Sequence, residues 1–173
     1  MNTDTPRSHI LVTIGNIAVL VGALDPMEGS LVILPGSGLV LLGTYLSHSE
    51  RWLITYRLWV FFMITVGVAA LVGLTIAGGF GGTTELSIWW GLLVMPYLIG
   101  WSMGIWGPDS PRWVLWLGLG VGVWYLAILV MTLKYSASVD EGSASGIVVG
   151  AIGALTISGC IYRLRKRKFI SRD

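Results

Sequence analysis

The chain has 173 residues, 54% of them hydrophobic and only 12% charged, with a mean hydropathy of +0.78. Soluble domains carry about a quarter charged residues, so this composition cannot cover a water-facing surface and points to lipid as the solvent. The formal net charge of +2 says little about partners, and a lone Cys160 excludes an internal disulfide or a cysteine-only metal cluster.

A helix that crosses hydrocarbon about 30 Å thick needs about 20 mainly apolar residues. Six segments meet or approach that length. The first covers about residues 8–24, with Asn16 its one strongly polar group. Val21-Gly22-Ala23 could pass for a signal cleavage site, but charge before the run is sparse, so the segment is expected to stay.

Asp25-Pro26-Met27-Glu28 has helix-start chemistry: a capping carboxylate, a proline for the first helical position and a glutamate where a capping box wants it. The second span is expected over about 26–46, interrupted by Leu34-Pro35-Gly36-Ser37-Gly38. Pro35 cannot bond back to Leu31, which predicts a kink or a short unwound stretch, or else a helix starting only after Pro35. The third span covers about 52–77, with Arg57 expected to snorkel toward the cytoplasmic surface. A glycine-rich loop precedes the fourth, about 86–106. Ser110-Pro111 opens the fifth, about 111–134, and the sixth covers about 144–162.

Six spans place both termini on one side. With the run Arg163 to Lys168 inside, ten of the eleven Lys and Arg residues fall inside and only Lys134 outside, as the positive-inside rule requires. The outer loops hold Asp25, Glu28, Glu85, Asp140 and Glu141 instead.

Small residues recur every fourth position in the sixth span, at Gly142, Gly146, Gly150, Ala154 and Ser158, and in the third at Ala69, Gly73 and Ala77. Such rows let another backbone approach closely, within this chain or on a second copy or another membrane protein. Trp89, Trp90, Trp106 and Trp113 fall at span ends, where indoles favour headgroups, while Trp101, Trp116 and Trp124 lie deeper. Core packing accounts for the deeper ones, with an aromatic-lined ligand site as the sharper alternative.

Asp25 and Glu28 could hold a cation, but capping explains both. His9 and His48 could be haem ligands, but both fall near the inner surface and read as unrelated interfacial histidines. No nucleophile–base pair, HExxH or phosphate loop is present. Arg163, Arg165, Lys166, Arg167 and Lys168 set topology and contact anionic headgroups rather than nucleic acid. No charge sits mid-span, which disfavours ion-coupled transport.

The hairpin GALDPMEGS at 22–30 followed by LPGSG at 34–38 resembles a segment of uncharacterised small multi-pass membrane proteins of bacteria. The resemblance covers about the first 45 residues and implies a membrane location, with no activity attached.

The expectation is an all-α, polytopic six-helix bundle of the inner membrane. Residues 1–7 form a cytoplasmic tail, 8–162 the membrane domain and 163–173 a basic cytoplasmic tail. The expected role is a non-catalytic component, without cofactor or metal, that packs with itself or a larger membrane complex. The alternative is a small-solute channel or transporter using the Asp25–Glu28 turn and the Pro35-Gly36-Gly38 break.

Overall fold

The computed structural model describes residues 6–24, 29–47, 49–78, 93–108, 110–135 and 142–170. Every regular element is helical: α1 (Pro6–Leu24), α2 (Ser30–Leu46), α3 (Arg51–Ile76), α4 (Met95–Trp106), α5 (Arg112–Tyr135) and α6 (Gly142–Ile170). Three of them, at Arg7–Leu24, Arg51–Ile76 and Arg112–Met131, are long and apolar enough to cross a membrane, and Ser30–Leu46 is a shorter apolar helix. Residues 25–28, with the carboxylates Asp25 and Glu28, lie outside the described residues, as do His48, Trp89, Trp90 and most of the expected start of the fourth span.

The helix boundaries follow local chemistry. Pro6 occupies the first position of α1, where its missing N–H would be unbonded anyway. α2 starts before Pro35 and runs through it without an unwound stretch. The proline sits on the exposed face, and Ser37 Oγ donates to the Leu34 carbonyl at 2.9 Å, tightening that turn. α3 ends where Gly78 turns left-handed at φ 109°, a conformation that suits glycine. At the head of α5 the Pro111 carbonyl accepts from Val114 at 3.1 Å and Leu115 at 3.3 Å. α6 does not stop at the basic run: the helix carries it to Ile170.

The chain divides into two compact units, Met1–Gly104 and Ile105–Asp173. In the first, α1 and α2 form an antiparallel hairpin of very close approach. Ser8, Gly15 and Gly22 on one side face Gly43, Gly36 and Gly29 on the other, and all six recur at intervals of seven residues. A methyl group on Gly15 would lie 2.7 Å from the Gly36 carbonyl oxygen, and one on Gly22 would lie 2.7 Å from that of Gly29. A seven-residue repeat keeps one face turned to the partner, and small residues on that face let the backbones touch. α3 packs on α2, and Gly67 and Gly100 allow α3 and α4 to meet at Tyr97 and Ile64.

The core of this unit is apolar, with Ile33, Ile64, Tyr97 and Trp101 among its buried side chains, but its surface is apolar as well. α1 exposes Ile10, Ile14, Ile17, Val21 and Leu24 along one face, and α3 exposes Leu58, Trp59, Phe62, Val66 and Val72. Ser8, Asn16, Ser30, Ser37, Thr44 and Arg57 are inside. In the second unit α5 and α6 pair, with Val114, Leu115, Val121, Tyr125, Ile152 and Cys160 buried.

Candidate functional site

Polar side chains inside an apolar helical unit must find partners, because no solvent supplies them. Buried Ser and Thr residues do so locally. Thr44 donates to Val40 at 2.7 Å, Ser102 to Leu98 at 2.8 Å and Thr156 to Ile152 at 2.8 Å, each within its own helix. Asn16 and Arg57 cannot be absorbed that way, and the fold brings them together.

Arg57 lies one and a half turns into α3, on the face that packs against α4. It is 5% exposed, and its Nη1 donates to the Gly104 carbonyl at 3.3 Å. The neighbouring Tyr56 hydroxyl donates to Met103 at 2.8 Å. Two carbonyls near the C-terminal end of α4 therefore accept from α3, and the guanidinium also suits the negative end of that helix. The expected snorkelling of Arg57 is corrected: α4 offers acceptors directly above it, so the side chain turns inward.

Asn16 projects from α1 with 2% of its surface exposed, and its Nδ2 has no protein acceptor within hydrogen-bond distance. It lines a cavity of about 10 Å³ together with Ser37, Arg57 and Gly104. Val19, Val40 and Val60 complete the wall. Four helices thus converge on one small space, walled mainly by apolar surface and reached by three polar side chains. Asn16 and Arg57 supply donors, and Ser37 supplies lone pairs while its own proton lies on Leu34. Such a set recognises a small hydrogen-bond acceptor. It offers no nucleophile, and a guanidinium does not act as a base at neutral pH.

The residues singled out by sequence are scattered. Gly36 is buried against Ala18 and Gly15, a methyl group on Gly38 would lie 3.5 Å from the Phe61 ring, and Pro35 faces outward. On α6, Gly142 and Gly146 are helical, Gly150 packs on Leu129, and Ala154 and Ser158 are exposed. On α3, Ala69, Gly73 and Ala77 are exposed, and nothing lies within 4 Å of a methyl group placed on Gly73. Arg163 is half-buried and its Nε donates to the Trp106 carbonyl at 3.1 Å; Arg165 and Lys166 are exposed, and Arg167 and Lys168 continue the helix. Trp101 is buried, whereas Trp116 and Trp124 are exposed.

Sequence inspection passed over the Asn16–Ser37–Arg57 cluster. The available signal was chemical: Asn16 is the one amide side chain within any helix, and Arg57 the one arginine well inside the third. No protein-family model, no curated protein and no solved structure matches this chain.

Proposed function

We propose that this is a six-span inner-membrane protein with both ends in the cytosol, acting as a non-catalytic component that associates with a second copy or a larger membrane complex. The apolar surface supports the lipid environment: large apolar side chains cover α1 and α3, while Asn16 and Arg57 are buried. The basic run of α6 fits the cytosolic side, with Arg165 and Lys166 exposed to meet anionic headgroups.

The observation that carries the associating role is the open row on α3. Glycines on α1 and α2 are consumed by packing inside the unit, but Ala69, Gly73 and Ala77 form a smooth strip left exposed between larger apolar residues. A small-residue strip facing lipid is where another transmembrane helix can seat at short range. The channel alternative uses a kink or break of the second helix at Pro35, and α2 continues as a helix through that position.

Cysteines placed at 69, 73 and 77 in native membranes provide the test. Cross-linking that recurs at this spacing, and is lost in Gly73→Leu while the purified monomer keeps its stability, supports the association. Equal labelling by a lipid-soluble reagent at all three positions, with no cross-linked product, removes it. Reporter fusions at Asp173 and within 136–141 check the orientation.

A further inference from the structure

We propose that Asn16, Ser37 and Arg57 hold one internal water molecule, and that this water ties α1 to α2 and α3. The cavity between them measures about 10 Å³, the room one water needs. Asn16 is almost wholly buried, and its Nδ2 protons meet no protein acceptor. A water there accepts from Asn16 Nδ2 and from the guanidinium of Arg57. It donates to Ser37 Oγ, whose own proton is engaged with the Leu34 carbonyl. These three bonds match the usual coordination of an internal water. Both of its lone pairs and one of its protons are used, and the Asn16 amide gains the acceptor that the protein does not supply. Val19, Val40 and Val60 line the rest of the wall.

The sequence makes the test unusually clean. The chain contains two asparagines, Asn2 and Asn16, and no glutamine, so a nitrogen–proton correlation spectrum of the full chain in mild detergent holds two side-chain amide pairs. Asn16→Asp assigns the pair of interest by removing it. The expected result is a direct, protein-signed Overhauser cross-peak between the water line and the Asn16 amide protons, persisting in nanosecond-scale exchange. Ser37→Ala, which deletes the acceptor, is expected to weaken that peak at least twofold while the methyl spectrum of α1 stays in place.

Two outcomes overturn the proposal. One is an Asn16 pair with cross-peaks to protein protons alone. The other is a shift of that pair when chloride is exchanged for gluconate at constant ionic strength, which would place a small anion in the cavity instead. The wild-type measurement stands by itself if a variant fails to fold.

Discussion

The α1–α2 hairpin and the α5–α6 pair both rely on glycine, yet they use it differently. In the first, glycine faces backbone: Gly15 meets the Gly36 carbonyl and Gly22 meets that of Gly29. In the second, glycine mostly forms a socket for a side chain. Gly118 receives Ile105, Gly150 receives Leu129 and Gly159 receives the Trp106 ring, while Gly122 and Gly153 meet each other's backbone. Backbone cannot yield without moving a whole helix, whereas a side chain can change rotamer. The same residue type should therefore tolerate substitution very unequally, and that inequality is open to measurement.

The largest effect is expected in the hairpin. Gly15→Leu should unfold the first unit, and Gly15→Ala should cost about 3 kcal/mol or more in denaturant titration, since both helices must separate to admit the methyl group. A loss under about 1 kcal/mol would mean the contact is softer than the geometry implies. Arg57→Ala comes next, at about 2–4 kcal/mol, because it removes packing and strips the Gly104 carbonyl of a buried donor. Melting of the purified protein in mild detergent would register it. Tyr56→Phe removes one hydrogen bond to Met103 and should cost about 1 kcal/mol by the same assay.

Smaller changes sharpen the contrast. Gly150→Ala meets the Leu129 side chain and no backbone, so a cost near 1 kcal/mol is expected, below that of Gly15→Ala. Gly73→Ala enters open space on a helix and should stabilise the monomer by about 0.5–1 kcal/mol through propensity alone. If Gly73→Ala instead destabilises a cross-linkable oligomer while leaving the monomer firmer, the open strip is an interface.

Much of the fold was legible because hydropathy and helix punctuation are local. α3 and α5 begin and end within a residue of the expected limits, and Pro6, Gly78 and Pro111 act where such residues should. Which face turns inward was not legible. Arg57 looked interfacial because its acceptor, Gly104, is 47 residues away on α4. The fourfold small-residue row on α6 misdirects for a geometric reason: each step of four residues overshoots a full turn by about 40°. Gly150 therefore faces α5, while Ala154 and Ser158 rotate outward and Ile152, Gly153, Thr156 and Cys160 hold the buried face. The sevenfold row on α1 and α2 drifts far less and stays in contact, and it was present in the sequence at Ser8, Gly15, Gly22, Gly29, Gly36 and Gly43.

That sevenfold spacing also acts as a vernier during assembly. Sliding one helix by a single residue breaks all three glycine or serine pairs at once, and in one direction sets Pro35, Glu28, Ile14 and Val21 against the glycines. The next alignment that restores the match lies seven residues away, a slide of about 10 Å along the axis. That slide keeps only two of the three close pairs, for example Gly15 with Gly43 and Gly22 with Gly36. The native alignment therefore seats the most backbone at short range, and every alternative gives up at least one such contact.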